Sequence, residues 1–404
     1  MKKIVIIILS LLVISGIAYL SFDYLSNNKS KTEEKKKDDT KEDDDKPKFV
    51  TVDDILNSMT LEEKIGQMFI VDLDNLKNGK ALNTAPTNID ANQIANLKKF
   101  NIGGVIFFRN NLKDKNILVK YIKNLQSNSK HPLFVSVDEE GGTVSRLGKP
   151  GGYGVTYFPN MSEIGATGDV NKAYNVGKTL GSELKSLGFN VDFAPVADIN
   201  TNPNNPVIGN RAFGNDSELV ASMVVKEVEG MQSENVSSAL KHFPGHGDTS
   251  TDTHTGLASI TANKERLDKV ELVPFKAGIA AGADFVLTAH ISTPNVTGNN
   301  IPATMSKEIL TDILRQELNF ENIIITDALN MGAIANYYST EEIVLNCVNA
   351  GVDIMLMPKE IEKAINYLLK LVNDGTISEE RINDSVRRIV TIKQKRGLYE
   401  WWLI

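Results

Sequence analysis

Eight apolar runs of strand length alternate with longer amphipathic stretches along this chain, and that repetition restricts the possible folds more than any other feature. The runs occupy residues 66–73, 103–108, 133–139, 191–198, 237–243, 285–291, 322–328 and 353–358. Helical patterns lie between them, including one ending at Gly188 and one ending at Leu318. Nearly continuous apolar runs need cover on both faces, which a parallel sheet flanked by helices provides. Eight such units predict an α/β chain folded as a (β/α)8 barrel, a single domain over residues 49–404, in preference to an open doubly wound sheet.

The polar residues at the ends of these runs carry the functional signal. Asp138 and Glu140, Asp198, Lys241 and His242, His290 and Asp327 each fall at or just beyond the last apolar residue of a different run. In a barrel those ends converge on one mouth. The densest segment, KHFPGHGDTSTDTH from Lys241 to His254, holds three of the five histidines together with Asp248 and Asp252. Pro244, Gly245 and Gly247 stop regular structure there, so the segment reads as a strand end followed by a loop. Asp327 at such a position is either a nucleophile or charge stabiliser, or simply the cap of the next helix. Asp252 and His254 are spaced to let a carboxylate orient an imidazole as a general acid and base, unless they are a turn aspartate beside a surface histidine.

Other chemistries lose support. His242, His246 and His254 invite a metal reading, yet Pro244 and Gly245 prevent the helix that places two histidines on one face, and no metal is expected. No glycine-rich phosphate loop follows a strand, so no nucleotide cofactor is expected. The single cysteine, Cys347, sits in a helical pattern and reads as a small buried hydrophobe. A net charge of −7 without a basic, aromatic-interleaved patch argues against nucleic acid.

The first residues read differently from the rest. Met1, Lys2 and Lys3 precede a run over residues 4–20 that is nearly all apolar. Residues 1–25 are therefore expected to be an export signal or, preferably, an uncleaved membrane anchor. Residues 26–48 mix blocks of lysine with blocks of acid and are expected to be a disordered spacer. The domain is thus expected outside the cytoplasm, tethered to the membrane or secreted.

The segment from Lys241 to His254 resembles the signature of family 3 glycoside hydrolases, in their bacterial β-N-acetylglucosaminidase branch. Residues 138–146, 193–214, 302–306 and 325–331 carry further motifs of that family in the same order, and the resemblance spans residues 50–398. Glu139 stands where the family often has glutamine, and Ala328 where it often has an acidic or bulkier residue.

The resemblance implies a retaining double displacement with Asp327 as nucleophile and His254, oriented by Asp252, as acid and base. It implies that Asp138, Arg211, Lys241 and His242, with Arg146, hold the terminal sugar, and that Asp198, Asn210 and His290 support them or touch the sugar. No cofactor is implied. The implied partners are GlcNAc-terminated glycans and muropeptides. Two alternatives stand beside this: a β-glucosidase or xylosidase of the same family, and a non-catalytic barrel that binds wall glycans. An imidazole acid/base would not repel an anionic acceptor, so phosphate in place of water is a further hypothesis. After residue 358 only a helical finish follows, with no room expected for a second α/β domain.

Overall fold

The computed structural model describes residues 50–77, 85–253 and 256–400. The expected anchor and spacer lie outside these residues, and so does His254. Among the described residues no helix is long and apolar enough to cross a membrane.

The strands are β1 (Phe69–Asp72), β2 (Gly104–Ile106), β3 (Phe134–Val137), β4 (Glu139–Gly141), β5 (Val144–Ser145), β6 (Val191–Asp192), β7 (Ser237–Phe243), β8 (Ala258–Ser259), β9 (Phe285–Thr288), β10 (Ile291–Ser292), β11 (Ile323–Thr326) and β12 (Met355–Leu356). Eight of them form one parallel sheet in the order β11-β9-β7-β6-β3-β2-β1-β12. A parallel bridge between Ile325 and Ile354 joins its two ends, so the sheet closes on itself with helices outside. This is the expected (β/α)8 barrel. Each of the eight expected runs contributes one barrel strand.

The strands are shorter than the runs, for local reasons. Gly66 and Gln67 belong to the helix Leu61–Gln67 that enters β1. In residues 191–198 the regular strand ends at Asp192, and because Pro195 has no N–H to give, the chain beyond it holds its neighbour by separate bonds, Ala239 N donating to Ala194 O at 2.8 Å and Ala197 N to Lys241 O at 2.7 Å. In residues 285–291 the strand ends at Thr288, and Ile291 and Ser292 leave the barrel to pair with Ala258 and Ser259. That pairing ties the far end of the loop after β7 to the loop after β9.

The outer layer follows helical periodicity. In the helix Val170–Leu187 the residues Val176, Leu180, Leu184 and Leu187 are buried, and Gly188 ends it in the left-handed conformation with φ 98°. This helix presses against the helix Ser217–Ser233. A Cβ on Gly177 would lie 2.2 Å from the carbonyl oxygen of Glu227. Cys347 is buried in the helix Thr340–Ala350.

Candidate active site

The period-two alternation of an extended chain sends Asp138 and Glu140 to one side and Glu139 to the other. Asp138 and Glu140 line a cavity of about 260 Å³ at the carboxyl ends of the barrel strands. Glu139 is fully buried behind it. On β7 a register shift between Lys241 and Phe243 breaks strict alternation, and consecutive residues Lys241 and His242 both line the cavity.

These side chains form one charged network. Lys241 Nζ donates to Asp138 Oδ1 at 2.8 Å and pairs with Glu140 Oε1 at 2.5 Å. Arg211 grips Glu140 in bidentate fashion, Nε to Oε2 at 2.9 Å and Nη2 to Oε1 at 2.8 Å. Burial by itself would raise the Glu140 pKa, but Arg211 and Lys241 outweigh it and hold the carboxyl well below the usual range. The same balance keeps Lys241 above its ordinary value, since Asp138 and Glu140 overcome its desolvation. Glu140, Arg211 and Lys241 are therefore ionised throughout the neutral range, and the cluster offers charge-assisted hydrogen bonds to neutral hydroxyls.

His242 joins the network through both ring nitrogens. Nδ1 lies 2.6 Å from Asp198 Oδ2, and Nε2 lies 3.3 Å from Arg211 Nη2. A guanidinium only donates, so Nε2 accepts and Nδ1 carries the hydrogen given to Asp198. Asp198 also accepts the backbone N–H of His242 at 3.1 Å and of His246 at 2.6 Å. Burial pushes its pKa up, but His242 together with His246 and its backbone N–H outweighs burial and leaves it lowered. Asp198 thus stands behind the cavity and fixes the histidine that faces it.

The loop after β7 is seated by close packing. A Cβ on Gly247 would fall 1.7 Å from the carbonyl oxygen of Ile199, which explains a glycine at that point of the motif. His246 is buried and bonds Thr249 at 2.8 Å and Thr253 at 3.2 Å. Thr253 itself lines the cavity. Asp252 is half-buried, and its carbonyl accepts Gly256 N at 3.2 Å. Its expected partner His254 follows directly on Thr253, outside the described residues.

Asp327 lines the cavity from the end of β11, four strands away from β3 in either direction around the barrel. Its backbone N–H donates to Thr288 O at 3.0 Å, and its Oδ1 accepts the N–H of Ala328 at 2.8 Å. His290 braces the same turn from below. Its Nε2 bonds Ala328 O at 3.0 Å, and its Nδ1 lies 2.9 Å from Thr304 Oγ1. Thr304 belongs to the motif at residues 302–306, to which the sequence alone assigned no role.

Most of the expected site residues meet. Asp138, Arg146, Arg211, Lys241, His242 and Asp327 all line the cavity, while Asp198 and His290 support it from behind. Asn210 is corrected: it is exposed and absent from the cavity lining. It lies in the short 3₁₀ turn Gly209–Arg211, where successive side chains point about a third of a turn apart, so the turn that aims Arg211 inward aims Asn210 outward. Glu140, which the sequence places at the barrel mouth with Asp138, was assigned no role in holding the sugar, yet it lines the cavity between Arg211 and Lys241. Met357, which lines the cavity with φ 50°, had no sequence signal. Among the described residues no group of three or more potential ligands is arranged to hold a metal.

The motif known as the Glycosyl hydrolase family 3 N terminal domain matches residues 60–392. The chain belongs to glycosyl hydrolase family 3. Beta-hexosaminidase A of Pseudoalteromonas piscicida is 33% identical over 371 residues, covering 83% of this chain and 61% of that protein. Beta-hexosaminidase of Xylella fastidiosa (strain 9a5c) is 33% identical over 293 residues, covering 70% of this chain and 85% of that protein. A family 3 beta-N-acetylglucosaminidase from Paenibacillus sp. str. FPU-7 has a solved structure that superposes with a TM-score of 0.78 at 39% identity, over 84% of this chain and 63% of the other. The chain therefore spans less than two thirds of the length of the first and last of these family 3 proteins.

Proposed function

We propose that this chain is an exo-acting, retaining β-N-acetylglucosaminidase that removes terminal, non-reducing β-linked GlcNAc, with peptidoglycan fragments as its source. One observation carries the reading. A cavity of about 260 Å³, below the roughly 300–1,000 Å³ of pockets for drug-sized ligands, sets a single carboxylate opposite a fully paired cluster of hydroxyl-binding charges. Such a cavity suits one sugar ring, and hence action at a chain end.

In this reading Asp138, Glu140, Arg211, Lys241 and His242 hold the ring, and Asp327 attacks the anomeric carbon to form a glycosyl ester. The proton lost to the leaving oxygen comes from His254, oriented by Asp252. The same histidine then takes a proton from the water that frees the sugar with retained configuration. Support comes from the names of the family relatives and from Thr253, which brings the histidine loop to the cavity edge. Placement outside the cytoplasm, with the N-terminal segment at a membrane, rests on residues 1–25 alone, and fractionation of cells making the full chain tests it.

A relative from Cellulomonas fimi named Beta-N-acetylglucosaminidase/beta-glucosidase keeps β-glucosidase action as the second reading. Release of 4-nitrophenol from its β-GlcNAc and β-glucose glycosides separates the two. The expected result is preference for GlcNAc, a loss of roughly a thousandfold or more in Asp327→Ala, and a severe loss in His254→Ala. Full activity in Asp327→Ala would end the mechanism, and no turnover of either substrate would restore the non-catalytic reading.

A further inference from the structure

Glu139 lies between two cavity carboxylates but faces away from the cavity, and it is the meeting point of one short loop. Its Oε2 accepts the backbone N–H of Arg146 at 2.8 Å and of Leu147 at 2.8 Å. Its Oε1 accepts the Ser145 hydroxyl and the N–H of Gly148 at 3.3 Å. Ser145 Oγ in turn accepts Lys149 N at 2.8 Å. Burial pushes the Glu139 pKa up, against the pull of these donors. Four donors from four consecutive residues therefore converge on one buried carboxylate, which closes the loop around itself.

The loop presents Arg146. Its guanidinium stacks over the Phe108 ring with its carbon 5.8 Å from the centroid, and Nη2 lies 3.8 Å from Asp138 Oδ2. Its Nε is buried without a hydrogen-bond partner among the described residues. Arg146 thus reaches the cavity with donor capacity to spare, its backbone gripped from behind by a residue that never lines the cavity.

We propose that Glu139 is a positioning residue: by gathering the N–H groups of residues 146–148 it sets Arg146 for contact with the bound sugar. The inference rests on the sugar-binding reading of the cavity. Glutamine keeps one acceptor oxygen for the Arg146 and Leu147 N–H groups, so Glu139→Gln retains most of the effect, whereas Glu139→Ala loses all four acceptor contacts.

A double-mutant cycle with a backbone readout tests this on the full chain. Glu139→Ala raises KM for the GlcNAc substrate by roughly fivefold or more with little change in kcat, and Arg146→Ala does the same. The double variant matches Arg146→Ala alone, because the two residues act through one contact. Amide exchange over residues 145–149 quickens in Glu139→Ala and not in Arg146→Ala. Multiplying KM effects in the double variant, or unchanged exchange in Glu139→Ala, overturns the proposal. If Glu139→Ala does not fold, Ser145→Ala removes one donor and is judged by the same two readouts. A wild-type chain inactive on both nitrophenyl substrates fails the sugar reading instead, and the exchange arm still decides whether Glu139 holds the loop.

Discussion

Glu140 sits 2% exposed between two cations, and its neutralisation would take from Arg211 its paired carboxylate and leave Lys241 with Asp138 alone. Removing one partner from a buried pair costs about 3–5 kcal/mol, mostly through the charges left behind. Glu140→Gln is therefore expected to lower the urea midpoint clearly and to cut kcat/KM by roughly a hundredfold or more, as steady-state kinetics will show. The pH dependence has a definite sign. A carboxyl held below its ordinary value of 4.5 contributes stability that is complete above that pH and is lost as pH falls through the folded value. Wild type should lose stability from about pH 4.5 downward, and Glu140→Gln should show a flatter acid limb in urea titrations at stepped pH. Asp138, Lys241, His242 and Asp327 were legible at this scale because each ends an apolar run. The partners of Asp198 and His290 were not legible, because the bonds to His242 and Ala328 join segments 44 and 38 residues apart.

Two helices meet where the side chain vanishes. With the Cβ of any substituent at position 177 placed 2.2 Å from a backbone oxygen, the helices Val170–Leu187 and Ser217–Ser233 must move apart to admit it. Gly177→Val is expected to destabilise by at least about 1–3 kcal/mol, the range of overpacking, as guanidinium midpoints will show, with KM little changed in the protein that folds. The helical pattern ending at Gly188 was read correctly from periodicity and its glycine stop. The strand ends were not. The regular strand in run 191–198 ends before Pro195, and run 285–291 gives its last residue to a separate pair, since pairing depends on what lies alongside as well as on apolar composition. The shift in β7 that turns both Lys241 and His242 to the cavity is likewise a property of its pairing with β9.

At the scale of the whole molecule, a buried carboxyl that does not line the cavity adds its own pH dependence to stability. Glu227 is 1% exposed, and neither carboxyl oxygen has a hydrogen-bond partner among the described residues. Burial, reinforced by the charge of Glu140 and opposed by Lys241, pushes it up to about 8. Between its ordinary 4.5 and 8 the folded chain keeps a proton that the unfolded chain has released, so this group makes stability fall as pH rises through that window. The slope is on the order of 1 kcal/mol per pH unit. Glu227→Gln should flatten the decline in thermal midpoint between about pH 5 and 8, and an unchanged slope would show that Glu227 is ionised when folded.

The sequence by itself determined the number of βα units, the barrel they close into and the strand ends that line its mouth, because periodicity and punctuation are local properties of a chain. Only the tertiary structure decided that Glu140 links Arg211 to Lys241, that Asn210 faces solvent and that Glu139 holds the loop of Arg146. Those outcomes depend on the relative rotation of segments 71, 101 and 7 residues apart, a quantity that no local pattern encodes.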